Sequence, residues 1–186
     1  MRVALTLKNW FQIPASDESL MMQYAESQDQ GALKTLYNRH SDNLYHFLLA
    51  LTSPALAEEI SQRTWLQVIE KRHRYRAHGR FQAWLFTLGR HLLLDELRQS
   101  SKFADTGATE PVVSDSCIKE AEHQHRLIQL ALKSLPFEQR EAFCLQQEGF
   151  GIQEIATMCD CKTETIKSRL RYARQALRVW LEENHV

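Results

Sequence analysis

Glycine and proline are scarce in this chain, with six and four in 186 residues. Both residues mark turns, so their scarcity argues against an architecture of many short strands and favours long helices. No segment reaches the roughly 18 apolar residues of a membrane span. The first residues, MRVALTLKNWFQIPAS, are interrupted by Lys8 and Asn9. We therefore expect neither a signal peptide nor a membrane anchor there.

Cysteine is also sparse, and its spacing fits neither a zinc site nor a disulfide framework. The chain has four cysteines, none in a CxxC pair: Cys117, Cys144, Cys159 and Cys161. A zinc site built on Cys159 and Cys161 lacks the paired spacing that such sites use, so we expect no metal. Reduced thiols fit a cytoplasmic protein.

Recognisable catalytic motifs are missing too. The sequence has no Gly-rich phosphate loop, no HExxH pair and no nucleophile elbow. Its His, Asp and Glu residues do not converge in sequence, and His91 with Asp95 forms an i, i+4 pair without a third ligand. These absences argue against an enzyme, and we expect no cofactor.

Charge is balanced overall but unevenly distributed. Hydrophobic residues make up 44% and charged residues 25% of a chain whose net charge is zero, as in a globular protein. Residues 71–102 carry eight basic and two acidic side chains, and residues 162–178 carry six and one. Two basic blocks in an acidic frame suit a protein with two DNA-facing surfaces and a separate surface for a protein partner.

The second basic block belongs to the most informative stretch, residues 149–178. A short apolar-patterned segment, residues 152–158, is followed by a tight turn and a longer helix. Four apolar residues of that helix share one stripe at i, i+4, i+7 and i+11: Ile166, Leu170, Ala173 and Leu177. Four basic residues follow one position later: Lys167, Arg171, Arg174 and Arg178. This layout is typical of a DNA-binding helix-turn-helix, although a solvated basic helix shows the same charge pattern.

The rest of the chain predicts an all-α fold of two small helical domains joined by a flexible linker, with the helix-turn-helix in the C-terminal one. The predicted division is an arm at 1–17, a first domain at 18–99, a linker at 100–118 and a second domain at 119–186. The linker is small and polar, with Gly107 and Pro111. Among the side chains predicted to point into the core are Ile69 and Ile128. His40 is expected to be partly exposed.

Several blocks in order resemble the extracytoplasmic-function (ECF) sigma factors of the sigma-70 family. They are DESLMMQYAESQDQGALKTLYNRH, AEEISQRTWLQVIE, FQAWLFTLGRHLLLDELR and, after the linker, the stretch from LPFEQREAFCLQQ through the helix-turn-helix. The resemblance implies a factor that binds core RNA polymerase and recognises promoter DNA at its −10 and −35 elements. It also implies an anti-sigma factor as a further partner.

The resemblance assigns residues to each surface. Those facing the −35 element would be Thr163, Lys167, Ser168, Arg169 and Arg171. Those facing the −10 element would be Arg90, His91 and Arg98, and those docking on core polymerase would be Glu59, Gln62 and Arg63. Arg63 stands where the family commonly has Glu, and His91 where it often has Asn. A conventional helix-turn-helix regulator is the alternative, but it would not need the polar strip at residues 58–70 paired with the helix at residues 81–98.

Overall fold

The computed structural model describes residues 15–76, 79–103 and 120–184. That part of the chain contains α-helices and one 3-10 turn (Arg72–Arg74), with no strand, which confirms the all-α prediction. The helices are α1 (Asp17–Ser27), α2 (Gln30–Leu51), α3 (Pro54–Lys71), α4 (Phe81–Phe103), α5 (Glu120–Lys133), α6 (Phe137–Gln147), α7 (Ile152–Met158) and α8 (Thr163–Glu183). Almost all of the predicted arm, most of the predicted linker and Cys117 lie outside the described residues.

The first helices begin where side chains can accept hydrogen bonds from free backbone N–H groups. Ser16 Oγ accepts from Ser19 N at 3.2 Å, which caps α1. A carboxylate oxygen of Asp29 accepts from Gly31 N at 2.8 Å, which caps α2. Helix α3 opens with Pro54, whose fixed φ and missing N–H suit the first helical position.

Helices α1 to α4 pack into a first lobe. Their apolar stripes meet in a core of fully buried side chains: Met21, Leu36, Leu44, Leu48, Ile60, Val68, Phe81, Leu85 and Leu93. Glu18 on α1 accepts a hydrogen bond from Phe81 N at 2.9 Å, so the start of α4 is fixed to the start of α1. Helix α2 packs against α1, α3 and α4 and is therefore the central helix of the lobe.

Helices α5 to α8 form a second lobe around a smaller core. Its fully or almost fully buried residues are Ala142, Leu145, Ile155, Ala156, Ile166, Leu170 and Ala173. Ala156 on α7 and Ala173 on α8 have small side chains, so the neighbouring helices can pack closely at these two positions. The two lobes also contact each other, and buried residues of both belong to one continuous apolar cluster.

Three side-chain expectations are wrong. Ile69 is 38% exposed, at the outer edge of the α3 stripe. Ile128 is 59% exposed, although Ala131 of the same helix is buried. His40 is buried, with its ring 5.4 Å from that of Phe81 and its Nε2 2.7 Å from Asp17 Oδ2.

Asp17 links α1 to α2, and this link should be pH-dependent. Burial opposes its ionisation, but hydrogen bonds from Arg39 at 2.7 Å and from His40 outweigh it, so the pKa of Asp17 is lowered. A lowered pKa stabilises the fold at pH above the unfolded pKa, and the contribution is lost as pH falls through the folded pKa. Asp17→Asn should therefore lower the melting temperature by about 2–4 °C near pH 7, a modest amount because the pair is partly exposed.

The same comparison at acid pH checks the cause. The gap between wild type and Asp17→Asn should begin to narrow as pH falls through the unfolded pKa of about 4, and it should close only below the lowered pKa of the folded protein, where the wild-type carboxylate is neutral too. Asp42→Asn, at an exposed position of α2, is the matched control and should leave the melting temperature unchanged. A gap that stays constant from pH 7 to about pH 3 would show that the carboxylate charge is not the stabilising feature.

Candidate nucleic-acid interface

Helices α7 and α8 form the predicted helix-turn-helix. Gly151 N donates to Glu154 Oε2 at 2.9 Å, which satisfies a free backbone group at the start of α7. The helix ends in a turn where Asp160 adopts a left-handed φ of 51° and Cys161 N donates to Ala156 O at 3.0 Å. Aspartate tolerates this conformation better than most residues, so the chain reverses within four residues without glycine. Helix α8 then begins at Thr163, as the motif requires.

The five residues predicted to face the −35 element lie in the first half of α8. Lys167, Ser168 and Arg171 are exposed, whereas Thr163 and Arg169 are half-buried. Lys167 Nζ pairs with Glu164 Oε1 at 2.7 Å, and the guanidinium of Arg171 lies 4.9 Å from the centre of the Tyr172 ring. Both contacts are at the surface, so nucleic acid could replace them at little cost.

A shallow groove adjoins this set. It has a volume of about 690 Å³ and runs between α7 and the start of α8, with Gln153, Thr157, Lys162 and Thr163 in its wall. These polar side chains and the N-terminal backbone of α8 can contact phosphates beside the major groove. The arrangement therefore offers base-reading and phosphate-binding groups on one surface.

The three residues predicted to face the −10 element lie along α4, and they differ in accessibility. His91 is exposed, and Arg98 is largely exposed with an ion pair to Asp95 at 3.0 Å. Arg90 is mostly buried, and its Nε donates to Glu141 Oε1 of the second lobe at 2.8 Å. A cleft of about 580 Å³ includes all three, together with Lys71 of α3.

The three residues predicted to dock on polymerase lie on the outer face of α3. Glu59 and Gln62 are exposed. Arg63 Nη1 contacts Glu59 Oε1 at 3.1 Å and Glu96 Oε2 of α4 at 3.0 Å. The hydrogen bond from Arg63 to Glu96, together with its attraction to both carboxylates, raises the pKa of Arg63.

Sequence reasoning missed an exposed apolar patch beside this strip. Leu66 is 57% exposed on α3, and Tyr37 of α2 is 49% exposed with its ring 5.0 Å from that of Trp65. It also missed Glu141, which is 1% exposed. The helical periodicity of the sequence could have revealed that Glu141 is buried, because it lies in the same helical stripe as Ala142 and Leu145.

Among the described residues, no helix is long and apolar enough to cross a membrane. In the same part of the chain, no group of three or more His, Cys, Asp or Glu side chains is arranged to hold a metal ion.

Two family models match this chain in order. The first, described as Sigma-70 region 2, matches residues 36–103, and the second, Sigma-70 region 4, matches residues 125–177. The first covers α3, α4 and most of α2, and the second covers the helix-turn-helix. Each model therefore includes one of the two sets of predicted DNA-facing residues.

Individual relatives are similar over most of their length. The ECF RNA polymerase sigma factor SigL of Mycobacterium tuberculosis is 32% identical over 167 residues, which cover 86% of this chain and 94% of that protein. The ECF RNA polymerase sigma factor SigC of the same species is 28% identical over 170 residues, with 88% and 92% covered.

Solved structures are similar as well. The sigma factor RpoE in complex with the anti-sigma factor NepR from Bartonella quintana superposes with a TM-score of 0.71 at 27% identity, covering 80% of this chain and 96% of RpoE. CnrH, solved with the cytosolic domain of CnrY, has a TM-score of 0.70 at 20% identity, covering 91% and 99%. The CnrH likeness concerns the fold.

Proposed function

The chain belongs to the sigma-70 family, among the ECF RNA polymerase sigma factors, and from that premise we propose how its surfaces divide the work of initiation. It is an alternative sigma factor, a factor that joins core RNA polymerase and directs transcription initiation. In our proposal the first lobe docks on core polymerase and binds the −10 element, and the second lobe reads the −35 element. The observation that carries this division is the separation of two basic surfaces onto two lobes.

For the polymerase surface, we propose that the outer face of α3 does the docking. Glu59 and Gln62 project into solvent beside the exposed apolar side chains of Leu66 and Tyr37. An apolar patch with a polar border is a common composition for a protein interface. The charge of Arg63 is compensated by Glu59 and by Glu96 of α4, so this departure from the family pattern adds no net positive charge to the docking surface.

For the promoter surfaces, Lys167 and Arg171 can reach base edges from the exposed side of α8, with Thr163, Ser168 and Arg169 beside them. Lysine and arginine side chains that contact guanine discriminate between bases by about 1–3 kcal/mol per good contact. Arg90, His91 and Arg98 would bind the −10 element, where an imidazole can stack on an unpaired base. Two DNA-binding sites of modest affinity on one chain give strong binding only when both contact the DNA at the same time.

Regulation by a protein partner is part of the same proposal. RpoE, which superposes on this chain, was solved with the anti-sigma factor NepR. We propose that an anti-sigma factor also binds this chain, and that the chain acts in the cytoplasm without catalysing a reaction of its own. A pull-down from native cells that recovers only polymerase would contradict the anti-sigma part.

Run-off transcription with purified core polymerase tests the function itself. The template is the DNA upstream of this protein's own gene, and the reaction is run with and without the protein. We expect a discrete transcript start that depends on the protein, because the factor positions polymerase at −10 and −35 sequences. A protein that yields no transcript and does not bind core polymerase would instead be a conventional helix-turn-helix regulator, binding duplex DNA alone.

A further inference from the structure

Arg63 of α3 bridges two carboxylates that belong to different helices. Its Nη1 lies 3.1 Å from Glu59 Oε1, one turn earlier on α3, and 3.0 Å from Glu96 Oε2 of α4. One nitrogen with two hydrogens therefore serves both carboxylates. We call these three side chains the α3–α4 charge bridge. It joins the helix proposed to dock on polymerase to the helix proposed to bind the −10 element.

The two ion pairs of the charge bridge differ in their exposure to water. The side chain of Glu59 is 58% exposed, whereas that of Glu96 is 30% exposed. Water and salt screen the more exposed pair more strongly, and exposed i, i+4 pairs are among the weakest ion pairs in proteins. The pKa of Arg63 is raised mainly by its hydrogen bond to Glu96, with a smaller contribution from the one to Glu59. Glu96 is therefore the firmer partner of Arg63, and Glu59 is the partner more easily released.

Glu59 needs that release in order to bind a cationic group of another protein. While it is paired with Arg63, its carboxylate presents less negative charge to an approaching lysine or arginine. Without a second carboxylate nearby, a partner that took Glu59 would leave the partly covered guanidinium of Arg63 unpaired. Because Glu96 lies within hydrogen-bond distance, Arg63 keeps a charged acceptor when Glu59 turns to the partner.

We propose that Glu96 is a positioning residue for polymerase docking: it holds Arg63, so that the carboxylate of Glu59 is free to bind a cationic side chain of core polymerase. This inference rests on the proposed function, because the docking role of Glu59 comes from it. Glu96 itself does not contact polymerase. Arg63 affects docking through Glu59 instead of through a contact of its own.

A purely structural role for the charge bridge has a different consequence. Arg63 and Glu96 join α3 to α4, and such a cross-link could serve only the stability of the lobe. Loss of either residue, or of both, would then weaken docking to the same extent, because the cross-link is gone each time. In our proposal, loss of Glu96 alone is harmful, because Arg63 then pairs with Glu59 only. Loss of Arg63 is not harmful.

Binding of the full chain to purified core polymerase tests the proposal, with the two residues changed singly and together. Glu96→Gln should weaken binding by about 3- to 10-fold, because the released Arg63 competes for Glu59. Arg63→Gln should bind at least as tightly as wild type, because it removes that competitor. The double variant should bind within about twofold of Arg63→Gln, so that the second change rescues the first.

Two control variants separate this effect from the loss of one charge. Glu26→Gln removes an equal charge from an exposed position of α1 and should bind polymerase as wild type does. Glu96→Asp keeps the carboxylate on a shorter side chain and should recover part of the binding that Glu96→Gln loses. Circular dichroism of each variant should show the helical content of wild type, because the charge bridge lies at the surface.

The double variant gives the deciding result. If it bound core polymerase as weakly as Glu96→Gln, the charge bridge would be a structural cross-link and the proposal would be wrong. Unchanged binding in Glu96→Gln would overturn it as well. Failure of the proposed function is distinguishable, because wild type itself would then neither bind core polymerase nor support run-off transcription. A wild type that binds, with a double variant that is not rescued, removes the role of Glu96 alone.

Discussion

Lys167→Ala and Arg171→Ala should each reduce the protein-dependent run-off transcript by about tenfold or more, because each removes about 1–3 kcal/mol of contact with the −35 element. Both side chains are exposed, and their contacts within the protein are at the surface, so the fold should be unaffected. Polymerase binding should persist, because the proposed docking strip lies on the other lobe. The measurements are transcript yield and co-purification with core polymerase.

A matched control lies farther along the same helix. Arg178→Ala removes an equal charge from an exposed position seven residues beyond Arg171, about 10 Å along the axis. It should change transcript yield much less than Arg171→Ala. Equal losses in both variants would indicate general electrostatic attraction instead of contacts at the start of α8.

The complementary variant lies in the first lobe. A chain with both Glu59→Ala and Gln62→Ala should lose binding to core polymerase, while its binding to isolated duplex DNA is unchanged. Glu70→Ala, at an exposed position near the end of α3, is its charge-matched control. If the two α8 variants also lost polymerase binding, the assignment of surfaces to lobes would be wrong.

The second large effect is on stability and concerns Gly89, where α4 crosses α2 and α3. A Cβ built at Gly89 would lie 3.1 Å from Leu44 Cδ1 and 3.3 Å from Thr64 Oγ1. Leu44 and Thr64 are themselves fully buried, and Thr64 is fixed by a hydrogen bond to Ile60 O at 2.7 Å. Gly89→Leu should therefore reduce the free energy of unfolding by about 3 kcal/mol, because a leucine side chain must displace both neighbours.

Two controls separate crowding from helix propensity. Gly89→Ala gains about 1 kcal/mol of helix propensity against a smaller steric cost, so its free energy of unfolding should stay within about 1 kcal/mol of wild type. Gln99→Leu places the same side chain at an exposed position of α4 and should be nearly neutral. Urea unfolding followed by circular dichroism measures all three, and a Gly89→Leu protein as stable as Gln99→Leu would disprove the close helix crossing.

Local patterns in the sequence determined the helical class and the helix-turn-helix. The apolar stripe of α8 and the segment 152–158 were identified correctly, because helix periodicity and capping depend on residues three or four positions apart. The exposure of Lys167 and Arg171 followed from the same periodicity, since they stand next to the buried Ile166 and Leu170. The assignments of DNA and polymerase contacts to these residues remain predictions.

Tertiary packing alone decided which distant residues meet. Arg63 pairs with Glu96, 33 positions away, and Arg90 pairs with Glu141, 51 positions away. Neither partner is encoded by local periodicity, because the choice depends on which helix faces come together and how much water they exclude. For the same reason Ile128, apolar and in register, remains exposed where no helix covers it, whereas the charged Glu141 is buried because Arg90 and Cys159 satisfy it.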